Sequence, residues 1–201
     1  MDIFGIIAPQ DDAWEHSLSD LPYNFFHMPT YARAWQAEVG LPVRLIVYRR
    51  GDSSLMPPIV LGAIEADRSR ALKDAVATYG FPGPVMVAAP GVDPQRFVAE
   101  FLEALRTGLR EIDCVSMFVR MQPLSPINEL FQNAGAKLVV QGPIVFVDLA
   151  RPMKEVRLLP QQPSTRHPET RARRIRTVPA GERVGGFFLR DLFADHAAEE
   201  R

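Results

Sequence analysis

Apolar positions over the first 150 residues switch between two spacings, and the switches mark out the elements. Asp2 to Ala8 is a short apolar run that reads as a strand. Pro9-Gln10-Asp11-Asp12 offers a turn and a cap for a short helix over Ala13 to Leu18. Asp20 to Asn24 is loop. Pro29 is suited to the first position of a helix over Thr30 to Val39, with Gly40 as a left-handed stop and Pro42 against resumption. Val43 to Tyr48 alternates as a strand, Arg49-Arg50-Gly51-Asp52 turns, and Ser54 to Ile64 returns. Pro57-Pro58 demotes part of that return to an edge or a bulge. Glu65 to Val76 is polar and mixed, and Val85-Met86-Val87 follows. Asp93-Pro94 opens a long helix to about Arg110, whose apolar stripe is Phe97, Phe101, Leu102, Leu105 and Leu109. Val115 to Val119 is a strand, Ser125-Pro126 opens a short helix carrying Leu130 and Phe131, and Lys137 to Leu149 is extended, with a break at Gly142-Pro143. Strands mixed with helices at these lengths predict an α/β fold, an open sheet with helices on both faces.

The chain is organised around Thr78-Tyr79-Gly80-Phe81-Pro82-Gly83-Pro84. Two glycines, two prolines and two rings fit neither a helix interior nor a central strand. The run is a shaped loop with little conformational entropy left to lose. It has two readings: a connection whose rings plug the core, or a wall of a substrate groove.

Past Asp148-Leu149 the apolar period vanishes. Residues 151–183 carry Gln161-Gln162-Pro163, Thr165-Arg166-His167-Pro168 and a basic run from Arg171 to Arg176, a composition that reads as largely disordered. Val184 to Phe193 offers one short apolar segment. The net charge is −1, yet residues 151–201 hold eleven Lys/Arg against seven Asp/Glu, so the first 150 residues are acidic and the tail basic. The overall balance gives no general pull toward nucleic acid or membrane. Arg166, Arg171, Arg173, Arg174 and Arg176 read either as a solvated run or as point charges for an anionic partner such as RNA. The single cysteine, Cys114, excludes an internal disulfide and fits a cytoplasmic location. No signal peptide and no transmembrane segment are expected. Zinc-ligand spacings, a P-loop and a Ser/His/Asp triad are absent from the pattern, so no metal is expected.

The element order resembles the GNAT acyltransferase fold. Phe25-Phe26-His27-Met28-Pro29-Thr30-Tyr31, then Asp74, then Tyr79-Gly80-Phe81-Pro82-Gly83-Pro84, then Val145-Phe146-Val147-Asp148-Leu149 resemble the FemAB-like branch, with its D-F-F-H-T-x-x-Y, D…S-P-Y-G-Y-G-G-P and V-x-D-L motifs in that order. Phe81 and Pro82 stand where that pattern has Tyr and Gly. The resemblance covers about residues 1–150 and implies the first of two GNAT-like halves, with residues 151–201 an irregular Arg/Pro-rich tail. It implies transfer of an acyl or aminoacyl group to an amine, of the kind that adds amino acids from aminoacyl-tRNA to a peptidoglycan precursor. The substrate-binding residues it implies are His27, Tyr31, Asp74, Tyr79, Gly80, Phe81 and Gly83. Most of the catalytic machinery would lie in the second half, so this chain is expected to be inactive alone, with an exposed sheet edge open to self-association. The glycine loop that cradles coenzyme A in ordinary GNAT enzymes has no counterpart: Ala88-Ala89-Pro90-Gly91 stands in its place, and Pro90 lacks a donor. No cofactor is therefore expected. The tail departs from the family's basic helix. Read one base later, the codons of Arg157 to Gln162 can encode Gly-Tyr-Tyr-Arg-Asn-Asn, which suggests a truncation by a frame shift near Val156-Arg157 that the coding DNA would decide. The competing expectation is a non-catalytic binding or scaffold domain with a basic tail.

Single residues carry alternatives of their own. His27 beside two phenylalanines is either a base or substrate contact, or a satisfied structural group. Tyr31 lies one helical turn after His27 and can share its face. Asp74 pairs with a cation or caps a turn. Trp14 and Trp35 read as core anchors, and Cys114 as a buried apolar residue.

Overall fold

A computed structural model of the chain describes residues 2–64, 71–142 and 184–189. Strand β1 (Asp2–Ile7) pairs antiparallel along its own length with residues 45–50 of β2 (Val43–Arg50). The other edge of β2 is shared by β3 (Ser53–Met56) and β4 (Pro58–Ala63), with Pro57 between them. Beyond these, β5 (Lys73–Ala77) pairs with β4 and β6 (Val85–Val87) pairs with β3, both antiparallel. The chain from 73 to 87 therefore passes once along the β3–β4 edge, except that residues 78–84 are thrown out of register. They leave the sheet opposite Pro57 and Pro58; Pro58 has no N–H to offer them, and Pro57 faces β2, where its carbonyl accepts from Ile46 N–H at 3.1 Å.

The sheet continues through β7 (Cys114–Arg120), parallel to β5, then β9 (Val184–Leu189) and the outer strand β8 (Lys137–Gly142), both antiparallel to their neighbours. Helices α1 (Asp12–Leu18) and α2 (Pro29–Val39) precede β2; α3 (Pro94–Glu111) makes the crossover from β6 to β7, and α4 (Asn128–Asn133) joins β7 to β8. Local chemistry sets the helix ends. Asp11 caps α1 by accepting from Ala13 N–H at 2.9 Å, and Asp93 caps α3 by accepting from Gln95 N–H at 3.0 Å. Pro29 starts α2, and Gly40, at φ +66°, ends it.

Helices cover both faces of this open, mixed α/β sheet. On one face Phe97, Phe101, Leu102, Leu105 and Leu109 of α3 and Phe131 of α4 pack on Ile46, Tyr48, Leu55, Ile59, Ala75, Ala77, Met117 and Val119. On the other face Trp14 and Leu18 of α1 and Ala32 of α2 pack on Val43, Leu45, Val47, Met56, Val60 and Val85. That second layer stops at β4 and β6, a fact that matters for the site.

Two local expectations change. The stretch read as polar and mixed up to Val76 contains strand β5, because Ala75 and Ala77 bury on the α3 side while Lys73 and Asp74 keep the segment polar in sequence. The strand containing Pro57-Pro58 is interior, and it is the neighbouring chain that bulges. Within the expected irregular tail, Val184–Leu189 is a strand of the sheet. The rest of the tail, the Asp148-Leu149 strand end and the frame question at Val156-Arg157 lie outside the described residues.

Gly108 marks where α3 and β1 touch: a Cβ there would stand 2.0 Å from the Phe4 ring. Alanine normally improves a helix interior over glycine by about 1 kcal/mol. Gly108→Ala is expected instead to destabilise by about 1–3 kcal/mol through overpacking, and to become stabilising in a Phe4→Ala background. Urea denaturation of the four proteins checks this; a stabilising Gly108→Ala in the wild-type background contradicts the contact.

Candidate functional site

The bulged loop 78–84 is held at its far end by two hydrogen bonds on one residue. Gly83 N–H donates to Arg120 O at 3.0 Å, and Gly83 O faces His27 Nε2 at 3.0 Å. Gly83 sits at φ +53°, and a Cβ on it would meet the Gln122 backbone nitrogen at 2.8 Å. Both observations require glycine. At the loop's crown Tyr31 Oη donates to Tyr79 O at 3.0 Å, and the Tyr79 ring lies 5.5 Å from that of Trp35. Gly80, at φ +89°, lets the backbone pass over the Phe26 ring, which a Cβ would meet at 2.4 Å. Phe25, Phe26 and Tyr31 form an edge-to-face cluster beside it.

His27 is buried in a short 3-10 turn, Phe25–His27, whose cap is Asn24. Its Nδ1 lies 2.9 Å from Asn24 Oδ1 and 3.4 Å from Asn24 N. Two acceptor oxygens, Gly83 O and Asn24 Oδ1, thus face the ring, and only an imidazolium could donate to both. Burial opposes the charge and lowers the His27 pKa below 6.5, outweighing the backbone contacts at Gly83 and Asn24. A neutral ring has one N–H for these two acceptors; we place it on Nε2, toward the buried Gly83 O, because Asn24 Oδ1 already accepts from Phe26 N–H, and Nδ1 then accepts from Asn24 N–H. His27 is therefore a clamp for the loop, with both nitrogens engaged. Trp14 Nε1 donates to His27 O at 2.8 Å and fixes the turn from below.

The other residues singled out in the sequence divide into two places. Tyr31, Tyr79, Gly80, Phe81 and Gly83 come together at the loop, where Tyr79 is 63% exposed and Phe81 38% exposed. Phe25 adds a third outward ring at 61%. The outward rings stand at the surface and do not plug the core. Asp74 stands apart: it is in β5, four residues before Thr78, about 13 Å away at the strand rise, and its Oδ1 would lie 2.8 Å from a Cβ at Gly62.

Arg120, which the sequence did not flag, joins the loop group. Its positive charge lowers the Tyr31 hydroxyl pKa, although burial and the Tyr79 side chain raise it overall. Arg120 also ends β7, and β5 and β7 are the parallel pair. The carboxyl ends of such a pair, where the chains depart to different sides, are where open α/β sheets hold ligands. Here β5 departs into the loop back toward β3, and β7 departs through Met121 toward α4. The carboxyl ends of β5 and β7 are thus flanked by the loop carrying Tyr79 and Phe81, with Tyr31 bonded to Tyr79 O and Arg120 O to Gly83 N–H. Thr78, where β5 gives way to the loop, is fully buried with no partner for its Oγ1 among the described residues. No group of His, Cys, Asp or Glu that could hold a metal is found among the described residues. No described helix is long and apolar enough to cross a membrane.

The turn between β6 and α3 fits a coenzyme A pyrophosphate poorly. Such a group needs free backbone donors at a helix N-terminus. Ala89 N–H is taken by Ser53 Oγ at 3.0 Å, and Val92 N–H by Ala89 O at 3.0 Å. Pro90 and Pro94 have no N–H, and Gln95 N–H is held by the Asp93 carboxylate, whose own charge repels phosphate.

No family model matches the chain, and no curated protein matches it. Among solved structures it is similar to yncA of Salmonella typhimurium, provisionally named an acetyltransferase and solved with its cofactor acetyl-CoA. The likeness spans 92% of this chain and 91% of that one at 13% identity, with a TM-score of 0.36. Function has to be read from the site itself.

The His27 clamp makes a pH prediction. The unfolded ring protonates near 6.5 and the folded ring only at lower pH, so stability is complete above pH 6.5 and falls as the pH drops below it. His27→Leu leaves Gly83 O without its donor and is expected to cost about 1–3 kcal/mol at pH 8. That difference should shrink toward pH 5 in urea denaturation. A difference that widens on acidification contradicts the neutral clamp.

Proposed function

We propose that this chain is the acceptor-binding part of an N-acyltransferase, GNAT-like in element order and FemAB-like in its motifs. The acceptor is an amine-bearing molecule, of the peptidoglycan-precursor type in the narrower reading, and the donor is an acyl or aminoacyl group. One arrangement carries the reading: the loop with exposed Tyr79 and Phe81 stands with Arg120 at the carboxyl ends of the parallel pair β5 and β7, which we take as the mouth of an acceptor crevice. The motif resemblance at residues 25–31 and 74–84 supports it, since those residues build the wall. In acyl transfer to an amine, holding the amine and the acyl carbon together can supply about 7–11 kcal/mol of the barrier. The described residues suit that positioning role. Near the mouth His27 has both nitrogens engaged and Tyr31 has a raised pKa, so neither is poised to take a proton at neutral pH. The occupied donors before α3 argue for a donor other than coenzyme A, such as an aminoacyl-tRNA.

Trp35, in ring contact with Tyr79, is a built-in reporter. Titration with an amine-bearing peptide is expected to change the tryptophan fluorescence saturably. The change should vanish in Trp35→Phe and weaken at least about tenfold, or 1.4 kcal/mol, in Tyr79→Ala. Acetyl-CoA is expected to give no product with the purified chain. Turnover of acetyl-CoA, or a fluorescence response that survives Trp35→Phe, contradicts the reading.

A further inference from the structure

The α1–α2 layer covers β2, β3, β4 and β6 and stops there, so the same face of β5 and β7 lies beyond it. Residue parity identifies that face. Ala75, Ala77, Met117 and Val119 point into the α3 core, so Asp74, Val76, Ser116, Phe118 and Arg120 belong to the opposite side. The register makes rows of them: Gly62, Asp74 and Ser116 share one row, and Val60, Val76 and Phe118 the next. Arg120 lies one row further toward the crevice mouth. All but Val60 are half-buried.

The face is therefore polar at both ends and apolar between. A carboxylate stands at one end, lying over Gly62, where a Cβ would come within 2.8 Å of its Oδ1. A guanidinium stands at the other, beside Tyr31. No ion pair joins either charge to another side chain among the described residues, and Ser116 to Arg120 spans about 13 Å at the strand rise. We infer that this strip binds one extended zwitterion, a short peptide of about three residues with a free ammonium on Asp74 and a free carboxylate on Arg120. Three extended residues reach about 10 Å, and the two side chains close the remainder. The opposite charges give the ligand one direction, which sends its carboxylate end to the crevice mouth. The inference rests on reading the crevice as an acceptor site and adds the acceptor's class and polarity; the ammonium on Asp74 serves recognition, and the amine that is acylated is a separate group of the acceptor.

Calorimetric titration of the full chain with tri-alanine, its N-acetyl form, its C-terminal amide and di-alanine tests this. Tri-alanine is expected to bind best. Acetylation or amidation should each weaken it by roughly two- to fivefold, the upper part of the range for part-exposed charge pairs. Asp74→Asn should abolish the penalty of acetylation alone, and Arg120→Gln that of amidation alone. The capped peptides test the idea on unmutated protein, so a variant that folds badly does not shelter it. Equal binding of capped and uncapped peptides overturns the inference, as does absence of tri-alanine binding or crossed penalties in the two variants. If charge discrimination fails while the Trp35 response to amine-bearing peptides persists, the acceptor-site reading stands and only its zwitterion class is lost. Charge discrimination without any Trp35 response removes the acceptor-site reading instead.

Discussion

Two adjacent prolines in an interior strand shape this molecule. Pro58 cannot donate to the chain running past it, Pro57 turns its carbonyl to Ile46 of β2, and that chain leaves the ladder there for seven residues. A bulge of that length would be entropically costly if left loose, at about 1–2 kcal/mol of backbone freedom per residue fixed. Its own residues limit that cost, because Pro82 and Pro84 are pre-set and Gly80 and Gly83 accept positive φ without a side-chain clash. What remains is closed by Gly83: its N–H goes to Arg120 and its carbonyl to the buried His27. The clamp joins the second helical layer, through the 3-10 turn before α2, to the end of β7.

That join gives the crevice its form. The loop leaves the sheet where the parallel pair ends, so the aromatic wall stands over the carboxyl ends of β5 and β7. The α1–α2 layer ends at the β4–β6 border, and the same face of β5 and β7 lies beyond it. Asp74 and Arg120 share that face through register alone. The same geometry explains why the described residues look like a binding surface: the imidazole nearest the mouth is spent on structure.

Much of the fold was legible in the sequence, and the reasons are local. Pro29 and Gly40 bracket α2, Asp93-Pro94 and the Phe97 stripe define α3, and the glycine-proline run fixes the loop. β5 was not legible, because Lys73 and Asp74 are polar and Ala75 and Ala77 are weak strand formers; the segment is a strand because β4 and β7 flank it. The site was legible where it is a loop and hidden where it is a sheet face. Tyr31, Tyr79, Phe81 and Gly83 stand out by type and spacing. Arg120 and Ser116 gain meaning only from a parallel pairing between segments some forty residues apart, which no periodicity reports. His27 was visible, but its two bonding partners were not, and they turn a plausible base into a clamp.

The tautomer of His27 tests this account most directly. Nitrogen NMR of the imidazole, on protein labelled in its histidines, distinguishes a proton on Nε2 from one on Nδ1. The account predicts, at pH 7.5, a neutral ring with its proton on Nε2, slow to exchange with water, and loss of that protection in Gly83→Ala. A ring protonated on Nδ1, or one exchanging as fast as an exposed histidine, would mean that the loop is held by something else.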